Sequence, residues 1–448
     1  MSRKLIVPIV IGITLVMVGV ATWRDASQKP AVVDATASRP IESTTRTNLL
    51  DTVARMEARL AAKPEDGDAV VRLAEALVRL QRVNSDPAAV LKAEQRIRAF
   101  LAVQPDHYEA QRVLGTVLLS QHRFRDAIRE AQKARAVDPM DWWNYGVIGD
   151  AHLELGEYDE AFAAFDRMGS LRPSPPAYAR VAYALELKGD TSGALESMKM
   201  AADGTSGHDP EGQAWHYAQL GNLLLQRGRI GDARREFERA AFTFPNHPYA
   251  MSGLARVKTA EGDYAGALAI YQKLFTEAET PELAAAIGDV QAKLGRADQA
   301  EAMYVAAERI ERDGWASEEP QPQALARFLA ERGRKVPEAI ALAEQAAAKR
   351  RDVHTMDALA WAYFKGGRLD EALHASEAAL RTGVRDSRIL YHAAAIRDAK
   401  GDQDGAKAVL SRVEAPELEL DVLSSAAARA LMVKLEGAAR PDAARTRG

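Results

Sequence analysis

The sequence predicts an all-α protein built of short helices stacked in antiparallel pairs, and three observations carry that prediction. Residues 142–173, WWNYGVIGDAHLELGEYDEAFAAFDRMGSLRP, read as two amphipathic helices around a tight turn at Gly156, with Pro173 stopping the second. The turn glycine then returns at Gly189, Gly228, Gly262, Gly295, Gly333, Gly367 and Gly401, at spacings of 33, 39, 34, 33, 38, 34 and 34. Five residues after these glycines stand Ala161, Ala194, Ala233, Ala267, Ala300, Ala372 and Ala406, with Ala339 one place late. A small residue at that position lets the second helix approach the first. One such pair has two apolar faces and covers only one by itself, so copies must stack on either side.

Composition agrees. Hydrophobic residues make up 47% but aromatics only 6%, so the apolar content is largely Ala, Leu and Val, which suits closely packed helices rather than sheets. A net charge of −4 with 27% charged residues describes a mixed-sign surface and argues against neutralising nucleic-acid phosphates. The chain has no cysteine, which excludes disulfides, thiol catalysis and Cys-based metal sites.

Spacing and residue types together make the unit resemble the tetratricopeptide repeat, over roughly three-quarters of the chain. The resemblance implies a right-handed superhelical solenoid of about ten antiparallel helix pairs. It also implies a concave groove lined by the first helix of each pair, with extended peptides or partner helices as guests.

Taken in order, residues 1–4 are a cationic N-terminus and 5–22, LIVPIVIGITLVMVGVAT, are uncharged throughout. That run is long enough to span a bilayer as one N-terminal transmembrane helix. A cleaved signal peptide is the alternative, with Gly19, Val20 and Ala21 as the small residues at the cut. Trp23 followed by Arg24 favours an uncleaved anchor with an interfacial end. Either reading carries the array across a bacterial inner membrane, as a single-pass periplasmic protein or as a protein secreted after cleavage. Residues 23–48 lack a periodic apolar face and read as a flexible tether. A capping helix is expected in 49–66, with Leu50, Val53, Met56 and Leu60 on one side, and the repeat array in 67–416. In the first repeat the stretch from Val83 to Ala89 lengthens the internal turn; the second places Gly115 and Ala127 in register. The two long spacings put extra residues at 203–213 and 313–323, either slack linkers or edges that touch a partner. A C-terminal capping helix is expected in 417–436 and a disordered tail in 437–448. The last repeats resemble those of exported bacterial members of the same family.

The sequence offers little for chemistry. It contains no Gly-rich phosphate loop, no dinucleotide fingerprint and no His-Glu-x-x-His. His208, Asp209, Glu211 and His216 could be written as metal ligands, but their spacing fixes no shared geometry and a solvated loop is preferred. No catalytic, cofactor or metal residue is assigned, and no enzyme activity is expected. The phase of the 142–173 unit turns Tyr145, Ile148 and Gly149 to the core and Trp143, Asp150 and Glu154 to the groove. In register the groove face carries Trp215, Asn222 and Gln226 in the fifth repeat, Tyr249 and Arg256 in the sixth, and His354, Asp357 and Trp361 in the ninth. Trp, Tyr and Arg are frequent interface anchors. The expected function is a membrane-tethered scaffold or adaptor that holds a protein or peptide in this groove during envelope complex assembly. A self-oligomerising structural array is the alternative; nucleic acid is not an expected partner.

Overall fold

The structure, a computed structural model, describes residues 45–314, 322–413, 417 and 423–437. Chain contacts divide the protein into residues 1–42 and 43–448, and all described residues belong to the second unit. The expected anchor, most of the tether and the tail lie outside the described residues. Among those described, no helix is long and apolar enough to cross a membrane.

Twenty-two helices and no strand are found among the described residues. Helix α1 (Arg46–Ala62) precedes ten pairs. The first five are α2 (Gly67–Asn84) with α3 (Pro87–Val103), α4 (Tyr108–Ser120) with α5 (Phe124–Val137), α6 (Trp142–Leu155) with α7 (Tyr158–Leu171), α8 (Pro175–Leu187) with α9 (Thr191–Gly204), and α10 (Pro210–Gln226) with α11 (Ile230–Thr243). The next three are α12 (Pro248–Ala260) with α13 (Tyr264–Glu277), α14 (Pro281–Lys293) with α15 (Ala297–Gly314), and α16 (Pro322–Glu331) with α17 (Val336–Lys349). The last two are α18 (Val353–Lys365) with α19 (Leu369–Ala379), and α20 (Ser387–Ala399) with α21 (Gln403–Leu410); α22 (Ser425–Gly437) follows.

The repeat signature has a direct structural cause. All eight turn glycines adopt left-handed backbone, with φ between 61° and 83°, a conformation costly for residues bearing a Cβ. The alanines five residues on are sealed: Ala161, Ala194, Ala233, Ala267, Ala372 and Ala406 have no exposed surface, nor does Ala339. Opposite Ala161 stands Gly149, where an added Cβ would come within 3.2 Å of the Ala161 carbonyl oxygen and 2.4 Å of the Phe165 ring. The two helices of a pair therefore meet on small residues. Tyr145 departs from the expected phase. It is half-buried, its hydroxyl donates to the Pro139 carbonyl, and it lies between Arg135 of α5 and Arg167 of α7.

The insertions become helix rather than slack chain. In the first repeat α2 continues to Asn84, Ser85 turns with φ 52°, and Asp86 caps α3 at Ala88. The extra residues before α10 begin that helix early. Asp209 and Glu211 at its start reach back to the first repeat, where Arg79 and Arg82 of α2 donate to them at 2.8 and 2.7 Å. The Glu211 side chain is fully buried. Of the second insertion, residues 315–321 are outside the described set.

Two closures thus join repeats far apart in sequence. The first is the α2–α10 contact just given, with Leu80 and Val83 sharing a hydrophobic cluster with α8 to α12. The second docks loops of the C-terminal repeats on turns of the third and fourth repeats. Arg351 N–H donates to the Leu155 carbonyl at 3.1 Å, Val353 N–H to the Tyr158 hydroxyl at 2.8 Å, and Arg381 to the Gly156 carbonyl at 2.6 Å. One hydrophobic cluster runs through this closure, from Leu153, Phe165 and Leu187 to Met356, Leu390 and Leu431.

Candidate partner-binding groove

Polar side chains on the first helices pair with those of the next repeat. Asp150 of α6 accepts three hydrogen bonds from Arg180 of α8, at 2.6 to 3.0 Å. Asn222 of α10 accepts from Arg256 of α12 at 3.0 Å. Asp289 of α14 accepts from Arg332, just past the end of α16, at 2.7 and 3.1 Å, and Asp357 of α18 meets His392 Nδ1 of α20 at 3.0 Å. The ladder places charge-assisted bonds along the first-helix face. Burial pushes the carboxyls of Asp150 and Asp289 upward despite their arginines, Asp289 to about 6. At Asp357 burial is opposed by His392, Arg388 and His354, which together hold the carboxyl below its ordinary value.

The sequence-predicted groove residues fall into three sets. In the third repeat, Trp143 is half-buried; its indole N–H donates to Thr116 at 2.9 Å, and Arg112 and Arg180 lie over its ring at 5.5 and 5.4 Å. Asp150 belongs to the ladder. Glu154 stands 3.2 Å from Arg350 in the second closure, and burial pushes its carboxyl up to about 7.

The middle set is the most open. Trp215 is half-buried against the α8 to α12 cluster, with His216 edge-on at 5.2 Å. Asn222 and Arg256 are joined, Gln226 hydrogen-bonds Glu186, and the Tyr249 residue is 44% exposed.

The ninth-repeat set differs from the expectation of an open face. Asp357 is 2% and Trp361 5% exposed; Trp361 stacks on His392 at 3.8 Å and on Phe364 at 4.8 Å. The tenth pair covers them, so here tertiary packing overrides the helical phase. His354 is half-buried, and its Nδ1 is enclosed without a hydrogen-bond partner. Burial lowers its pKa.

Sequence reasoning gave no groove role to Arg112, Arg180, Asp289 or His392, and took Arg332 and Arg350 for parts of basic clusters at solvated helix ends. A signal existed: a carboxylate or amide on one first helix is followed by Arg or His on the next, 30 to 43 residues on. At 203–213 it preferred a solvated loop, whereas Glu211 there is buried and its carboxylate is taken by Arg82. Among the described residues, no group of three His, Asp or Glu side chains is placed to hold a metal ion.

Stacked helix pairs, a left-handed turn in each and a polar first-helix face define a helical-repeat scaffold. The tetratricopeptide repeat model matches residues 112–176 and 219–282, and those stretches carry tetratricopeptide repeats. Human tetratricopeptide repeat protein 36 is 38% identical over 89 residues, covering 20% of this chain and 47% of that protein. Cellulose synthase operon protein C of Xanthomonas axonopodis pv. citri is 26% identical over 412 residues, covering 89% of this chain and 24% of that protein. The chain thus spans under half the length of these relatives. Among solved structures, the APC/C hetero-tetramer Cut9–Hcn1 is similar with a TM-score of 0.46 at 14% identity, covering 77% of this chain and 59% of that one. Tetratricopeptide repeats are typically non-enzymatic scaffolds for protein–protein interaction.

Proposed function

We propose that this chain is a membrane-tethered scaffold that holds a protein or peptide partner along the first helices of its middle repeats. The observation that carries the site is the conjunction on α10 and α12 of the half-buried Trp215, the bonded pair Asn222 and Arg256, and the exposed Tyr249. An aromatic and a guanidinium held on a rigid helical frame bury much area on binding at small entropic cost. The uncharged run at 5–22 supports tethering to a bacterial inner membrane with the array on the periplasmic side, and an envelope-assembly role follows from that placement.

The test is photo-crosslinking of the full chain in native membranes. A photo-reactive amino acid at 249 or 256 is expected to capture one polypeptide reproducibly, with loss of capture in Trp215→Ala. Capture only from position 242, whose Phe is 90% exposed, would remove the groove reading. The second reading, a self-associating array, is favoured by exposed Val103 and Val137 at the ends of successive second helices. Self-links from those two positions, alone, would support it.

A further inference from the structure

The groove of the middle repeats already has an occupant, and that occupant is part of the chain. Helix α2 has two buried faces. One carries Ala69, Val70, Leu73 and Leu77, all at most 3% exposed, and packs inside the first two repeats. The other lies in its last two turns, where α2 comes against α10 and α12. There Leu80 and Val83 enter the hydrophobic cluster on which Trp215 of α10 and Leu254 of α12 also pack. Arg79 and Arg82 have the same three-residue spacing and so lie along the same stripe; they donate to Asp209 and Glu211 at 2.8 and 2.7 Å. Helix α1 accompanies α2: Leu49 joins the cluster, and Arg46 donates to the Asn84 side chain at 3.1 Å.

The two faces are held differently. The first is wholly apolar. The second has two aliphatic side chains bordered by ion pairs that water still reaches, with the Arg79 and Arg82 side chains 31% and 34% exposed. Pairs of that kind add little stability. Glu211 makes a stricter demand, because its side chain is fully buried, with His247 3.8 Å away. Withdrawing the guanidinium of Arg82 from a carboxylate so placed is costly, whatever the pair contributes when formed. A different occupant is therefore accepted only if it brings a cation to Glu211. An acidic segment would set like charges against Asp209 and Glu211 and is rejected.

We propose that α2 is a built-in occupant of the groove in the fifth and sixth repeats, and that the protein partner is a basic amphipathic helix that takes its place. The inference rests on the scaffold reading for the existence of a partner and adds the partner's chemistry: two cations and two aliphatic side chains, each pair one turn apart on a single stripe. Parting from α10 leaves α2 packed on its other face, so displacement moves the first repeat without unfolding it. Covalent linkage gives the internal helix an effective concentration on the order of millimolar. A free helix competes well only when the internal one is weakened.

The probe is a fluorescent synthetic peptide with the sequence of residues 67–84, blocked at both ends and added to the full chain. Its anisotropy reports binding. Displacement is read from spin labels at Glu75→Cys and His208→Cys, both exposed positions in a chain without cysteine of its own. The peptide is expected to bind and to enlarge a longer-distance population. In the chain variant Arg79→Glu, Arg82→Glu, whose own α2 competes poorly, it should bind about tenfold more tightly. The same two changes made in the peptide should weaken its binding by about as much. Leu80→Ala spares the arginines and the apolar face of α2, and provides a second weakened occupant if the charge reversal does not fold. Equal binding of the two peptides, binding that leaves the label distance unchanged, or no tightening in either weakened chain would overturn the proposal. Capture of a partner from 249 or 256 alongside any of those results would keep the scaffold and remove the built-in occupant. Displacement by the peptide with no polypeptide captured would do the reverse.

Discussion

At position 161 the chain tolerates almost nothing but a methyl group. Ala161 has no exposed surface, and its carbonyl faces Gly149 across the pair. Replacing it with Leu forces three extra carbons into a filled contact and is expected to cost about 1–3 kcal/mol. A urea melt followed by hydrogen exchange should localise the loss to α6 and α7; an unchanged melt would show that the pair is loosely packed. Asp357 makes a different demand. Enclosed at 2% exposure beside His392, it serves the structure before any ligand. Asp357→Ala leaves a buried imidazole without its carboxylate and is expected to destabilise the last two pairs by about 3 kcal/mol. A variant that melted as the parent does yet lost partner capture would return Asp357 to the groove. The contrast shows what periodicity can deliver. It identifies which residues share a helix face, but whether water or a neighbouring helix meets that face depends on a repeat tens of residues away.

At the scale of elements, most of the architecture was legible because turn and packing each ask for one residue type at one spacing. Left-handed backbone selects glycine at all eight turns, and the helix crossing selects alanine. Where other residues fill these roles the pattern falls silent. The second repeat turns at His122 with φ 59°, and the first at Ser85, so neither was visible as a glycine register. Insertions were harder still. The residues counted as surplus before α10 are the ones that carry Asp209 and Glu211 to Arg79 and Arg82. A sequence without an alignment marks extra length but not the surface it seeks. The turns themselves supply a paired prediction. Gly295→Ala meets only the left-handed backbone cost, about 1–2 kcal/mol, because no atom lies within 4 Å of the added Cβ. Gly156→Ala meets the same cost and also strikes the backbone of the 350–353 loop. Hydrogen exchange should show faster exchange of the Arg351 and Val353 amides in Gly156→Ala alone. Equal protection of those amides in both variants would mean that the closure does not depend on the close approach.

For the whole molecule, the closure between the first and fifth repeats is the one whose titratable groups bear on its pH dependence. In the first, Glu211 is held below its ordinary value, with Arg82 and Arg79 opposing its burial, and burial pushes His216 down to about 4. Buried His247 stands 3.8 Å from Glu211, and the His216 ring contacts the Thr205 hydroxyl at 2.9 Å. A histidine lowered in the folded state gives stability that is lost as pH falls below its ordinary 6.5 and on toward 4; a lowered glutamate gives stability that is lost below 4.5. Acid therefore loosens the tie between the first and fifth repeats. Lowering the pH from about 7.5 to about 5 is expected to weaken the hold of α2 on α10. A label pair introduced by Glu75→Cys and His208→Cys follows that movement in the full chain, and Glu211→Gln should weaken the contact at every pH. A label distance that stayed the same over that range would show that His216 is not linked to the contact between the first and fifth repeats.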